Sequence, residues 1–224
     1  MTIEIKTLTL GIAATNCYIV GDTESGQALV IDPVDEAGLI LEIAQAAGWT
    51  IELILATHGH FDHVLASKPL KDITGAPFYI HSSDLFFLSG LPQQGMMFIG
   101  RPFPEAAVPD RLLGDTTEII ELGAIKLETI YTPGHAPGHV SFYLRQQQIV
   151  FSGDCLFSGS IGRTDLPGAD YNTLMRTILD RLLPLGDDVR VLPGHMQPTT
   201  LGVERRTNPY ILEYTAHAPR DHRR

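Results

Sequence analysis

Between residues 58 and 63 the chain sets three histidines and one aspartate, His58, His60, Asp62 and His63, although it has only nine histidines in 224 residues. Neutral imidazole nitrogens and a carboxylate are the donors that a borderline cation such as Zn²⁺ takes. Alternate side chains of an extended segment point the same way, so His58 and His60 can share one ion. Asp62 and His63 follow the turn and aim elsewhere, which suits two adjacent ions better than one. A polar loop of surface histidines is the alternative, and the density of ligand types argues against it.

The same arrangement recurs at three later places. LILA at 53–56 runs into the loop just described. LETIY at 127–131 runs into Thr132-Pro133-Gly134-His135, IVF at 149–151 into Ser152-Gly153-Asp154, and VRVL at 189–192 into Pro193-Gly194-His195. Singly these are ordinary turns. Together they bring ligands to the carboxyl ends of four apolar strands, where sites of α/β proteins form. His58, His60 and His135 divide naturally to one ion, and Asp62, His63 and His195 to a second. Asp154 has two oxygens with which to bridge them. Two divalent cations outweigh two carboxylates and a hydroxide, so such a centre acidifies water and polarises a carbonyl oxygen. That is equipment for hydrolysing an ester-like bond, and no GxSxG motif offers a serine nucleophile instead. His139, four residues after His135, is either an eighth ligand or a partner that fixes a ligand's orientation, and the second role is expected. His81, His217 and His222 are read as non-ligands, and Cys155 as a small packing residue facing away from the ions.

These ligands need rigid strands behind them, and the composition supplies a globular chain: 44% hydrophobic and 19% charged. A formal charge of -10 disfavours nucleic acid as a partner. The first ten residues lack the apolar run of a signal peptide, and no stretch is long and apolar enough to span a membrane. Cys17 and Cys155 form no CxxC pair or disulfide framework, so a cytoplasmic location is expected. Arg205, Arg206, Arg220, Arg223 and Arg224 read as a solvated, partly frayed end.

Alternation predicts strands at 2–10, 16–20 and 28–31, the last ending at Asp32-Pro33. A helical period covers 37–47, and a buried strand at 51–56 leads into the ligand loop. A helix is expected over 62–70 with Pro69 near its end, a strand at 77–81, and a helix capped by Ser82 or Ser83 through Leu88. Residues 90–110, rich in proline and glycine, predict a long loop whose Met96, Met97, Phe98 and Phe103 either line a substrate mouth or form a satellite core. Strands follow at 118–122, 125–131, 140–144, 149–151 and 189–192, with helices at 171–183 and 203–206 and another starting at Asn208-Pro209.

With HxHxDH at 58–63 followed by His135, Asp154 and His195, the chain resembles the metallo-β-lactamase superfamily at all seven ligand positions. The likeness runs from NCYIV at 16–20 to RRTNPYI at 205–211. It implies an α/β fold, an αββα sandwich of two mixed β-sheets flanked by helices, with the metal site at one edge. Within the superfamily the chain is most similar to glyoxalase II, hydroxyacylglutathione hydrolase, of the short bacterial type. TPGHAPGHV, SGDCLFSGSIGRTDLPG, ERRTNPY and LPQQ followed by MF at 91–98 carry that likeness. The two-domain glyoxalase II enzymes add a helical C-terminal region that binds glutathione. Only about thirty residues follow His195 here, so one domain over 1–224 is expected. Those enzymes also carry a histidine where Gly59 stands.

The implied reaction is hydrolysis of a glutathione thioester such as S-lactoylglutathione by a hydroxide bridging two divalent ions, zinc first, with iron or manganese as alternatives. The implied partner is that small-molecule thioester, and the oligomeric state is left open. Asp62 would orient the hydroxide. Arg163, in GRTD, could meet a substrate carboxylate or could simply pair with Asp165. Persulfide dioxygenases of the same fold share the loop and the GRTD stretch and hold one iron, which here would fall to His58, His135 and Asp154. His139 favours the hydrolase over that alternative. A metal-binding domain without catalysis is the remaining alternative.

Overall fold

Strands buried on both faces read as near-continuous apolar runs, and central strands of both sheets, at 15–22, 27–31, 140–144 and 149–153, are of that kind. A computed structural model describes residues 3–217. The first sheet runs in order β1 (Ile3–Leu10), β2 (Thr15–Asp22), β3 (Gln27–Ile31), β4 (Thr50–Leu55), β5 (Phe78–His81) and β6 (Arg111–Leu113). Its first three strands are antiparallel neighbours. From β3 to β6 the pairing is parallel. The second sheet holds β7 (Ile119–Leu122), β8 (Ile125–Tyr131), β9 (Val140–Leu144) and β10 (Ile149–Gly153). Beyond the small β11 (Leu156–Phe157) and β12 (Ser160–Ile161) pair, it adds β13 (Arg190–Pro193) beside β10 and β14 (Thr199–Thr200) at the edge.

Strand periodicity sorts side chains between layers. In β2, Tyr18 and Val20 face the opposite sheet, while Cys17 and Ile19 face outward to helices. In β4, Leu53 and Leu55 face inward and Ile54 faces outward. The inter-sheet core closes on Phe142, Leu144, Phe151 and Leu192 from the second sheet. One outer layer comprises α1 (Ala37–Ala46), α2 (Phe61–Val64), α3 (Ser67–Thr74), α4 (Leu85–Ser89) and α5 (Leu91–Ile99). The other comprises α6 (Tyr171–Thr177), α7 (Leu201–Thr207) and α8 (Pro209–His217). Ile40, Ala44 and Leu70 fill the first outer core. Leu174, Met175, Ile178, Leu201 and Ile211 fill the second. The result is the expected αββα sandwich. Among the described residues no helix is long and apolar enough to cross a membrane.

Four local expectations need correction. Neither Ser82 nor Ser83 caps the helix at 85–89: both lie in a 3₁₀ turn before it, where His81 Nδ1 accepts from the Ser83 N–H at 3.2 Å. Residues 91–99 form α5 rather than loop; only the stretch after it is irregular. Pro92 sits in the first turn, where its missing N–H has no intrahelical partner anyway. Gly95 is there for space, since a Cβ would collide with the backbone of Arg101 to Phe103 folding back across the helix. The helix expected over 62–70 is two helices, and Pro69 lies in the first turn of α3 rather than near an end. At the C-terminal side Arg205 is pinned, donating to Asp187 Oδ1 at 2.8 Å and to the Leu183 carbonyl at 2.7 Å. Arg220, His222, Arg223 and Arg224 lie outside the described residues.

Candidate metal centre

The carboxyl ends of β4, β8, β10 and β13 converge on one edge of the sandwich, as their sequences predict. His58 Nε2 lies 3.0 Å and His135 Nε2 2.9 Å from His60 Nδ1, which joins loops from both sheets in one trio. In the second trio His195 Nε2 is 3.2 Å and His63 Nε2 3.6 Å from Asp62 Oδ2. Asp154 lies between them. Its Oδ1 is 3.3 Å from His63 Nε2, and its Oδ2 is 3.4 Å from His195 Nε2 and 3.5 Å from His135 Nε2. The side chains of all seven residues expected as ligands therefore converge. A tetrahedral ion with bonds near 2 Å would set its ligand atoms about 3.3 Å apart, and the contacts just given, from 2.9 to 3.6 Å, fall on either side of that value.

The residues behind the rings show which nitrogen faces the centre. His135 Nδ1 donates to the Arg163 carbonyl at 2.8 Å, leaving Nε2 as a bare lone pair. Thr57 gives its hydroxyl proton to Asp32 Oδ2 at 2.9 Å and so accepts from His58 Nδ1 at 3.0 Å. His63 Nδ1 donates to the same Asp32 oxygen at 2.9 Å. In the neutral rings the Nε2 lone pairs of His58, His63 and His135 thus point inward. His60 Nδ1 can offer at most one proton to the two Nε2 atoms it faces. The buried atoms His63 Nε2 and Asp154 Oδ1 make no hydrogen bond at all. Inward lone pairs and orphaned buried polar atoms are what a cation site requires. The set of imidazoles and carboxylates fits zinc, iron or manganese.

The field is uneven across the site. Burial, reinforced by neighbouring imidazoles, holds His58 well below the ordinary histidine pKa and His60 at about 3. Burial also opposes charge on His63, yet Asp154, Asp62 and Asp32 together lift it well above its usual value. His195, likewise against burial, is raised to about 9 by Asp154 and Asp62. Burial would raise both carboxylates. His63 and His195 nevertheless hold Asp154 well below the usual range and Asp62 at about 2. The half of the site around Asp62 and Asp154 therefore draws in positive charge, which a divalent ion would supply.

His139 is not in either trio. Its Nε2 accepts from the Asp154 backbone N–H at 3.0 Å, and its Nδ1 faces Thr132 Oγ1 at 2.8 Å. It orients Asp154 rather than joining the ligand atoms. Arg163 is exposed and pairs with both oxygens of Asp165 at 2.9 and 2.8 Å, while its carbonyl orients His135. Cys155 packs in the outer core with Leu156 and Val191, as expected. His81 instead reaches Asp115 at 3.1 Å and stacks on Tyr131.

Several supporting residues escape a reading by ligand type. Asp32, which closes β3, is a fifth polar residue at a strand end beside β4, and that position is the signal that could have found it. Thr15 donates to Asp62 Oδ2 at 2.9 Å. Asn16 donates to the Pro193 and Met196 carbonyls at 3.0 Å each, and Tyr18 to Pro193 at 2.6 Å, clamping the loop of His195. Asp84 is fully buried and accepts from Gly59 and Gly138, with nothing in its spacing to mark it.

Comparison with known proteins agrees with this geometry. The model of the metallo-beta-lactamase superfamily matches residues 10–195. The chain is 39% identical over 212 residues to hydroxyacylglutathione hydrolase GloC of Haemophilus influenzae, spanning 94% of this chain and 98% of that one. The crystal structure of BLEG-1 B3 metallo-beta-lactamase superposes with a TM-score of 0.87 at 34% identity, covering 93% of this chain and 99% of that chain. That of TTHA1623 in a di-iron-bound form gives 0.82 at 41% identity, covering 92% and 99%.

Proposed function

The chain belongs to the metallo-beta-lactamase superfamily, and on that footing we propose that this metallohydrolase is binuclear and cleaves a glutathione thioester of the S-lactoylglutathione type. The observation that carries the binuclear reading is the second trio. Asp62, His63 and His195 bring one ligand atom each within 4.8 Å of one another, alongside His58, His60 and His135. The thioester is supported by the likeness to GloC and by the hydrolytic character of the site. The proposed ligands are His58, His60 and His135 for one ion and Asp62, His63 and His195 for the other, with Asp154 shared. Zinc suits the donors, and the di-iron relative supports iron equally.

Two bound cations would supply an acidified water as nucleophile and a Lewis acid for the carbonyl oxygen. The chain's part is to hold that geometry. Thr15 donates to Asp62 Oδ2, so the other carboxylate oxygen is left to orient a water and take its proton. Asp32 and the Arg163 carbonyl lock the tautomers of His63 and His135. An exposed pair such as Arg163–Asp165 is screened by water and contributes little, so a substrate carboxylate can replace Asp165 at little cost. That exchange is our proposal for Arg163.

The test is metal content of protein purified without added metal, with thioester hydrolysis assayed on the same sample. About two ions per chain and turnover of S-lactoylglutathione support the reading. One iron per chain with oxygen uptake on glutathione persulfide would replace it with the dioxygenase. The likeness to BLEG-1 favours a second reading, β-lactam hydrolysis. Turnover of a β-lactam without turnover of the thioester would select it.

A further inference from the structure

Asp84 follows β5 and opens α4, and its side chain is wholly buried. Its Oδ2 accepts from the Gly59 N–H at 2.8 Å and its Oδ1 from the Gly138 N–H at 2.6 Å. Gly59 lies between His58 and His60 on the loop after β4. Gly138 lies three residues beyond His135 on the loop after β8. One carboxylate therefore ties a ligand loop of the first sheet to a ligand loop of the second. Among the described residues no lysine or arginine pairs with it, so its burial is not explained by an ion pair. A charge buried at such cost is kept where its hydrogen bonds set geometry.

The same short segment makes a second contact with the first trio. Phe87 packs edge-on against the His60 ring, with centroids 4.6 Å apart. Between them these residues fill the space a side chain at position 59 would need. A Cβ there would stand 2.9 Å from the Asp84 carbonyl oxygen and 2.9 Å from Phe87 Cβ. The glycine at 59 and the Asp84–Phe87 turn are thus complementary. Neither Asp84 nor Phe87 has a hydrogen bond, ion pair or ring contact to Asp62, His63 or His195 among the described residues.

We propose that the Asp84–Phe87 turn is a positioning bracket for one ion only, setting His60 against His135 across the two sheets and leaving the second trio untouched. This rests on the metal reading above. It goes beyond that reading by assigning unequal support to the two ions. A residue needed only for folding would affect both ions alike, or neither.

The experiment measures cobalt(II) affinity by chelator competition in two backgrounds. His195→Ala leaves the His58, His60 and His135 trio. His60→Ala leaves the Asp62, His63 and His195 trio. Asp84→Asn keeps the size of the side chain but turns an NH₂ group toward one of the two N–H donors. In the first background it is expected to weaken cobalt binding by about tenfold or more, with a shift in the visible cobalt spectrum. In the second background the change should stay within about twofold. Equal effects in both backgrounds, or none in either, overturn the bracket. Should Asp84→Asn fail to fold by circular dichroism, Phe87→Leu is read by the same two criteria. The wild-type titration decides the binuclear reading by itself, and the variant-to-parent ratio decides the bracket.

Discussion

Asp32 Oδ2 sits 2.9 Å from His63 Nδ1 and 2.9 Å from Thr57 Oγ1, so one buried carboxylate orients a ring in each trio, the second through the Thr57–His58 contact. It also accepts the Thr57 N–H at 2.7 Å. Its backbone is left-handed, with φ of 55°, a conformation asparagine tolerates better than most residues. Asp32→Asn therefore isolates the hydrogen bonds. The amide cannot accept from three donors with both its heavy atoms, and His63 is freed to rotate. Affinity for both ions should fall about 10–100-fold, read by chelator competition. Unchanged affinities would show that Asp32 orients nothing.

His139 gives a contrast in kind. It accepts the Asp154 N–H and binds no ion in this reading. Replacement by phenylalanine leaves that buried N–H without an acceptor, which costs about 1–3 kcal/mol. Replacement by glutamine offers an amide oxygen instead. Urea unfolding of metal-free protein should show His139→Phe clearly destabilised and His139→Gln closer to wild type. If the two variants lose equal stability, the hydrogen bond is not what the ring supplies.

The strands and the meeting of seven side chains at their ends were legible because both depend on local pattern. Apolar strands such as LILA and VRVL ending in small turns mark sites at strand ends, whereas the αββα layering was implied by the family resemblance. The supporting residues were legible only in part. Asp32 shares the strand-end position of the ligands, but Asp84 acts by reaching two loops distant in sequence, a relation no spacing encodes. The helix at 91–99 was hidden for a different reason. Pro92 and Gly95 read as breakers, whereas the proline fills a first turn and the glycine admits a crossing backbone. Composition reports what a residue usually does; tertiary contact decides what it does here.

Asp84 also predicts a pH dependence. Burial raises its pKa from 3.8 to about 6, the two N–H donors only partly offsetting it. Between these values the folded state binds a proton that the unfolded state has released, so stability from this group falls as pH rises from about 4 to about 6. A gap of about two pH units corresponds to about 3 kcal/mol. Asp84→Asn does not titrate. In metal-free protein the stability of wild type relative to the variant should therefore rise as pH is lowered across that window. A flat difference between pH 7 and pH 4 in urea titrations would show that Asp84 keeps an ordinary carboxylate pKa.

Metal removal should leave the fold standing. The three apolar cores, between the sheets and on each outer face, contain none of the seven proposed ligands. The ligands crown strand ends that hydrophobic burial already holds in place, unlike a small zinc domain whose fold is made by its ion. Chelated protein should keep its far-ultraviolet circular dichroism and melt cooperatively at a lower temperature. Returning metal should add about 1.4 kcal/mol per ion for each tenfold rise in free concentration above its Kd, because only the folded state assembles the trios. A slope of two ions per chain in that plot, obtained without any substrate, would test the binuclear centre independently of activity. Loss of secondary structure on chelation would instead mean that the ligand loops hold the sheets together, and that the cores alone do not.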